Sequence, residues 1–423
     1  MARSPQPFQA RKISEHVYWV GAVDWDLKEF HGYLTQRGTT YNAYLVLADK
    51  ITLIDTVKKP YYDEMMARIA SVIDPADIAL IVSNHAEADH SGCLPETIAA
   101  VRPERVLASP KGVQTLQDLF GLGDRVEAVT PGGWLDVGGL PMQFVETRMV
   151  HWPDSMVSYL GGDGILFSQD AFGMHLAGSE RFADDYDRAT LLHEAEKYYA
   201  NIVLPYSAQV GKVLDAVPTL GWDIRMIAPD HGPIFRTPAD IGWILTQYRR
   251  FVEQTVTPRA VVVYDTMWHS TERMAKVVAE GLAAAGVGVR VFCLNGTHRS
   301  DIMTAVMNAG ALVLGSPTLN GQPYPTLADF LTYAKGLKPR HKIGAVFGSY
   351  GWTPKCYDEL AASLKAMEVE LVSEPVLSRY SAKPEDLMAC LNLGRTVGKA
   401  LQQRCGREPA HGRDDRANQG KPQ

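Results

Sequence analysis

The chain has 423 residues, enough for two or three domains, and an ordinary globular balance of 46% apolar and 21% charged residues. Its 42 basic and 48 acidic residues leave a formal charge of −6, which argues against a nucleic-acid surface of clustered Lys and Arg. The five cysteines (Cys93, Cys293, Cys356, Cys390 and Cys405) form no CxxC pair, so they suggest neither a disulfide framework nor a thiolate metal site and fit a reducing cytoplasm.

Met1 to Lys12 has no apolar core of the signal-peptide kind, and no apolar run approaches the roughly 18 residues that span a membrane. Short strand-like runs then follow at 17–20, 44–47 and 51–55, and helical spacing of apolar residues covers 61–72. Further strands are expected at 80–82, 106–108, 142–145 and 165–167, with hairpin-like turns at Pro131-Gly132-Gly133 and Gly161-Gly162. This mixture predicts sheets covered by helices rather than a simple βα alternation. Near residue 255 the texture changes. The polar, proline-containing stretch 254–258 breaks a helix, and regular alternation begins: strands at 260–264, 287–294, 311–315, 343–347 and 370–372, helices at 271–285, 301–309, 357–366 and 384–403. Such alternation implies a doubly wound parallel sheet. The charged tail from Arg404 reads as disordered. The expected division is 1–255, 256–403 and a tail at 404–423.

The densest local signal is His85-Ala86-Glu87-Ala88-Asp89-His90, which follows an apolar strand. In extended backbone, residues at i, i+2 and i+4 point the same way, so His85, Glu87 and Asp89 can converge on one pocket. A solvated acidic loop is the plain alternative, but so many potential ligands after a buried strand favour a metal. His151, Asp170 and His231 each come just past a predicted strand, where loops carry function. Taken singly, each is an ordinary strand-end residue. As a set they resemble the metallo-β-lactamase superfamily, whose ligands arrive in this order. The usual superfamily motif is HxHxDH, which suits zinc. Here Glu87 replaces the second His and makes the site harder and more anionic, which favours iron.

A second signal is Tyr264-Asp265-Thr266-Met267-Trp268-His269-Ser270-Thr271, between a buried strand and a helix. That is where a doubly wound fold binds phosphate, on backbone N–H groups and hydroxyls at a helix N-terminus. Thr266, Ser270 and Thr271 offer hydroxyls, although a Ser/Thr-rich strand-to-helix turn is also an ordinary N-cap. Two more strand-end loops add to it. One runs from Ser316 to Gly321 and includes Pro317, Thr318, Leu319 and Asn320; the other runs from Gly348 to Trp352 and includes Ser349, Tyr350 and Gly351. Trp268, Tyr350 and Trp352 are candidates to stack on a flat isoalloxazine. The pattern is similar to flavodoxin and its FMN loops. No GxGxxG and no P-loop lysine is present, which disfavours dinucleotide and nucleoside triphosphate.

The HxExDH motif, the ligand series and the flavodoxin-like half together resemble the flavodiiron proteins, and the resemblance covers nearly all of 8–403. It includes His31-Gly32-Tyr33, the stretch Thr39 to Tyr44, His151-Trp152-Pro153-Asp154-Ser155-Met156 and Tyr198-Tyr199-Ala200-Asn201. The resemblance implies a metallo-β-lactamase-like αββα sandwich followed by a flavodoxin-like sheet. It implies two non-haem irons, one held by His85, Glu87 and His151, the other by Asp89 and His231, with Asp170 bridging. His90 stands at a position that ligates in some members and not in others. The implied activity is reduction of dioxygen to water, of nitric oxide to nitrous oxide, or both. Electrons would come from rubredoxin or a similar donor through FMN, in a head-to-tail homodimer or a dimer of dimers in the cytoplasm. His31, Tyr33, Trp152 and Tyr199 are candidates to line the open face of the site. A binuclear zinc hydrolase and a flavodoxin-type carrier with a structural N-terminal half are the rival readings.

Overall fold

A computed structural model describes residues 7–407 and divides into two compact units, Met1–Glu253 and Gln254–Gln423. The first unit holds two main sheets. One has seven strands, in the order Arg11–Lys12, Val17–Trp19, Tyr44–Val46, Thr52–Ile54, Leu80–Ser83, Arg105–Ala108 and Glu127–Ala128. It is antiparallel up to Thr52–Ile54 and parallel beyond. The other has five, in the order Trp134–Asp136, Pro141–Glu146, Met156–Leu160, Ile165–Gln169 and Met226–Pro229, with only the last pair parallel.

The period-2 geometry of strands sorts the side chains. Tyr44, Val46, Ile54, Leu80, Val82 and Leu107 face inward and share a core with Met142, Phe144, Met156, Leu160, Ile165 and Phe167 of the second sheet. Their neighbours Leu45, Leu53, Ile81 and Val106 point the other way and pack with Met65, Ile69, Leu94, Ile98 and Leu116 of the helices Tyr62–Ala70, Leu94–Val101 and Pro110–Phe120. Every residue of Met156–Leu160, Ile165–Gln169 and Met226–Pro229 is buried, so these three strands of the second sheet are covered on both faces as well. The layers form an αββα sandwich, and the parallel strands Leu80–Ser83 and Met226–Pro229 deliver their C-terminal loops to the metal-ligand candidates.

The second unit is one parallel sheet in the order Gly288–Cys293, Arg259–Tyr264, Ala311–Pro317, Ile343–Tyr350, with Glu370–Leu371 and Val376–Arg379 both paired to Ile343–Tyr350. This is the flavodoxin-like strand order. The helices Ser270–Ala284 and Pro384–Arg407 pack face to face on the sheet. Gly281 and Gly394 permit the close crossing. A Cβ at Gly281 would lie 2.2 Å from the Leu391 carbonyl oxygen, and one at Gly394 would lie 2.1 Å from that of Val278.

Some expectations change. The turn at Pro131-Gly132-Gly133 is no hairpin, because it joins a strand of one sheet to a strand of the other. The turn at Gly161-Gly162 does close an antiparallel pair. The last helix continues through Arg404 to Arg407 rather than giving way to a tail at Arg404. The rest of the expected tail lies outside the described residues. The helix Pro325–Leu337 was not anticipated. No helix among the described residues is long and apolar enough to cross a membrane.

Candidate metal centre and flavin cleft

The strand Leu80–Ser83 ends at Asn84, whose backbone N–H and Nδ2 donate to the two oxygens of buried Asp55 at 2.7 and 2.9 Å. That anchor sets the start of the ligand loop. Extended backbone persists only to Glu87 (φ −61°, ψ 145°), and a short helix, Ala88–Ser91, begins immediately after it. His85, Glu87 and Asp89 border one pocket but do not meet at one ligand point, because Asp89 falls in a second donor group. The helical turn swings Asp89 and His90 away from His85 and Glu87.

Two donor groups result. His85, Glu87, His151 and Asp170 bring one ligand atom each within 4.8 Å of one another, and so do Asp89, His90 and His231. In the first group, Oδ2 of Asp170 lies 3.0 Å from His151 Nε2 and 3.3 Å from His85 Nε2. Oε2 of Glu87 lies 3.2 and 3.3 Å from the same nitrogens. In the second, Oδ1 of Asp170 lies 3.2 Å from His90 Nε2 and 3.5 Å from His231 Nε2. Asp89 completes that group, with Oδ2 3.1 Å from His231 Nε2. Asp170 thus turns one oxygen to each group. His90 Nε2 faces the second pocket as a ligand would.

Gln169 ties the loops together. Its side-chain amide donates to the carbonyl of Val150 beside His151, and its own carbonyl accepts from the N–H of Asp230 beside His231 at 2.9 Å. Behind the ligands, Asp154 Oδ2 lies 3.2 Å from His85 Nδ1 and accepts from the Ala86 N–H at 2.7 Å. The carbonyl of Thr40 accepts from His231 Nδ1 at 2.6 Å. Such outer partners fix the tautomer that leaves Nε2 free for a metal.

The electrostatics favour a cation among these ligands. Burial alone would make Glu87 hard to ionise, but the imidazoles of His151, His31 and His85 overcome it and hold its carboxyl below the usual range. Burial likewise disfavours charge on His90, yet Asp89, Asp170 and Asp230 push it up to about 10. Protons here stand in for metal, since an imidazole must be neutral to ligate. Both oxygens of Asp89, both ring nitrogens of His90 and Oδ1 of Asp170 are buried without a hydrogen-bond partner. A buried orphan costs about 1–3 kcal/mol, so this concentration makes sense only if a cation fills the space. The residues fit a pair of metals with mixed N and O donors.

Of the residues suspected at the open face, His31 is clear. It sits at a hairpin turn with φ +51°, and its Nε2 meets Oε1 of Glu87 at 2.6 Å. Trp152 lies edge-on to His85 at 5.2 Å, and Tyr33 packs against His175. Tyr199 instead faces Tyr248 and Phe251 in the core. Asp154 was legible only as part of the quoted His151–Met156 stretch. His175, a buried neighbour 4.5 Å from His231 that bonds Thr39 Oγ1 at 2.7 Å, carried no sequence signal.

In the second unit a cavity of about 340 Å³ opens at the strand C-termini. Met267, Trp268, Ser270, Pro317, Thr318, Leu319, Asn320, Ser349, Tyr350, Gly351 and Trp352 line it, all anticipated, together with Tyr380, which was not. Tyr380 follows the edge strand Val376–Arg379, and its N–H donates to the Tyr350 carbonyl at 2.7 Å. Trp268 and Trp352 are 88% and 83% exposed, free to flank a planar ring. Three expected residues do not line the cavity. Thr271 is buried and bonds Ser349 Oγ at 3.0 Å. His269 turns outward to Glu272. The hydroxyl of Thr266 is buried with no partner, as a phosphate-facing hydroxyl would be. The volume and polar rim suit a cofactor-sized ligand such as FMN.

The comparisons with known proteins agree on both halves. A family profile described as "ODP family beta lactamase" matches residues 39–232, and the flavodoxin profile matches 262–394. A rubredoxin-oxygen oxidoreductase of Megalodesulfovibrio gigas is 41% identical over 396 residues, which cover 93% of this chain and 98% of that one. A nitric oxide reductase of Moorella thermoacetica is 39% identical over 393 residues, covering 92% and 98%. The crystal structure of the flavodiiron protein from Giardia intestinalis superposes with a TM-score of 0.91 at 30% identity, over 95% of this chain and 99% of that one. With both domains matched in order and nearly end to end, the chain belongs to the flavodiiron proteins.

Proposed function

We propose that this chain is an oxidoreductase that reduces dioxygen to water, nitric oxide to nitrous oxide, or both. The observation that carries the reading is the pair of buried donor groups sharing Asp170, with Glu87 where a zinc hydrolase of this superfamily has a histidine. His85, Glu87 and His151 would hold one iron, Asp89, His90 and His231 the other, and Asp170 would bridge them. Met267, Trp268, Ser270 and the loops 317–320 and 349–352 would hold FMN, with Thr266, His269 and Thr271 shaping its phosphate turn. FMN, when bound, supplies electrons from an external donor, and a pair of adjacent irons supplies two-electron chemistry on an oxygen-bearing ligand.

The chain's own part is positional. Asp170 fixes the spacing of the two groups. Asp154 and the Thr40 carbonyl hold the imidazoles of His85 and His231 with Nε2 inward. Burial excludes bulk water from every ligand. His31 holds the outer oxygen of Glu87 and so keeps that carboxylate from turning away from its group.

We take 1–255 as the diiron domain and 256–403 as the FMN domain. The relatives' names support rubredoxin or a similar small redox protein as electron donor. We further propose a head-to-tail homodimer working in the cytoplasm. The test is metal and flavin analysis of the purified protein, followed by anaerobic rapid mixing of its reduced form with O₂ and with NO separately. About two irons and one FMN per chain, with fast reoxidation by at least one gas, is expected. Two tightly bound zincs in protein made with ample iron, and no reoxidation beyond that of free flavin, would overturn the reading in favour of a hydrolase.

A further inference from the structure

Behind the second donor group, Asp230 and His90 leave four polar atoms unaccounted for. Asp230 is fully buried, one residue before His231. Its backbone is engaged, donating to Gln169 and accepting from the Asn42 N–H at 2.7 Å. Its side chain is not, since neither Oδ1 nor Oδ2 has a hydrogen-bond partner among the described residues. His90 is buried too, and neither of its ring nitrogens has one. The two side chains face each other, with His90 Nδ1 3.5 Å from Asp230 Oδ2. That is longer than a formed hydrogen bond. The groups are complementary, however, and both are otherwise orphaned. Asp55 differs, because both its oxygens are already taken by Asn84.

Two inward-facing imidazoles already have an outer partner, His85 in Asp154 and His231 in the Thr40 carbonyl. For His90 the side chain in the corresponding place is Asp230. We propose that Asp230 is the positioning residue that makes His90 a ligand. An oxygen of its carboxyl group accepts the Nδ1–H of His90, and this leaves the Nε2 lone pair facing Asp170 Oδ1 at 3.2 Å and Asp89 Oδ1 at 3.5 Å. Without that acceptor, the ring is free to carry its proton on Nε2, a tautomer that cannot bind metal. The identity of residue 230 thereby decides whether residue 90 ligates. The inference rests on the two-metal reading above.

The test is a double-mutant cycle on the full chain, with Asp230→Val, His90→Ala and the pair. The readouts are anaerobic Fe(II) affinity by chelator competition and the Mössbauer spectrum of the loaded protein. Asp230→Val should weaken one of the two irons by roughly 10–100-fold, the usual effect of losing an outer-shell partner, while the other iron and FMN stay bound. The pair should bind no worse than His90→Ala alone, and the altered iron should give the same Mössbauer signature in all three variants. Asp230→Asn, which keeps an acceptor oxygen, should restore most of the affinity. Should Asp230→Val fail to fold, Asp230→Ser runs the same cycle, since its hydroxyl is too short to reach His90. Unchanged affinity in Asp230→Val, or losses that multiply in the pair, would overturn the proposal. Wild-type protein that takes up two irons but is indifferent to His90→Ala would also overturn it, and would leave the two-metal reading standing. Wild-type protein that never takes up a second iron would instead overturn that reading.

Discussion

Asp154 offers a prediction whose size can be worked from the structure. A single oxygen, Oδ2, serves both His85 Nδ1 and the Ala86 N–H, while Oδ1 is buried without a partner. Asp154→Asn can therefore keep both contacts through its amide oxygen and lose only the charge. Asp154→Ala loses both contacts and strands the Ala86 N–H in the interior. A stranded buried donor costs about 1–3 kcal/mol, which sets the expected fall in stability of the apoprotein. Losing the outer partner of His85 should cost a further roughly 10–100-fold in affinity for the iron that His85 holds, about 1.4–2.7 kcal/mol. Asp154→Asn should show much less of both. Urea unfolding of the apoprotein and anaerobic Fe(II) titration against a chelator separate the two effects. If Asp154→Ala lowers stability but binds both irons as tightly as wild type, Asp154 merely builds the fold and the orienting role fails.

Asp170→Ala should lose most iron and reductase activity while FMN stays bound, because no other carboxylate among the described residues faces both groups; retained irons with normal turnover, by metal analysis and steady-state assay, would refute the bridge. Glu87→His rebuilds the zinc-type HxHxDH pattern and should shift metal content toward zinc, with reduced flavin persisting after oxidant is added in rapid-mixing spectra. Lys342 is buried, its ammonium donates to the Met307 carbonyl, and burial pulls its pKa from 10.5 to about 7. Between pH 7 and 10.5 the unfolded chain binds one more proton than the folded one, so stability should rise with pH across that window. Lys342→Met should flatten the rise and stabilise the second unit at pH 7 by up to roughly 5 kcal/mol, at about 1.4 kcal/mol per pH unit, as read by denaturant unfolding at several pH values. A fragment beginning near Thr257 should fold alone and turn yellow with FMN; a folded fragment that stays colourless on reconstitution would count against the flavin assignment.

The regular half of the chain was the easier to read. Its three central strands are apolar runs buried on both faces, and each ends in a Gly-, Ser- or Thr-rich loop, so strand, loop and cleft were visible together. The first half was legible as a ligand series but not as a geometry. Spacing alone aims Asp89 at the same pocket as His85, the resemblance sets it with His231, and the start of a helix at Ala88 is what turns it to that group. Residues that act from behind were nearly invisible. Asp154 and Asp230 are single polar residues in strand-end loops, Thr40 acts through its backbone carbonyl from within the strand Thr39–Tyr41, and what marks them is a partner 69, 140 or 191 positions away in the chain. Tyr380 escaped for a similar reason, since it reaches the flavin cleft from an edge strand that pairs with Ile343–Tyr350.

Charge offers a further reason for this donor set. Glu87, Asp89 and Asp170 bring three negative charges into a volume closed to water, and two divalent metals would bring four positive ones. One positive charge is then left over before any outside ligand binds, and an uncompensated buried charge is costly. Asp154, directly behind His85, is placed to cancel it, because the His85 imidazole and the Ala86 N–H outweigh its burial and hold its carboxyl below the usual range. A histidine at position 87 would double the excess. The pocket is therefore matched to its metals in charge as well as in ligand type, and Asp154 and Glu87 contribute to the same balance. It follows that Glu87→His and Asp154→Ala should not be independent. Combined, they leave two metals facing only two carboxylates, and the double variant should lose metal more readily than the product of the single effects, which chelator competition on all three proteins would measure.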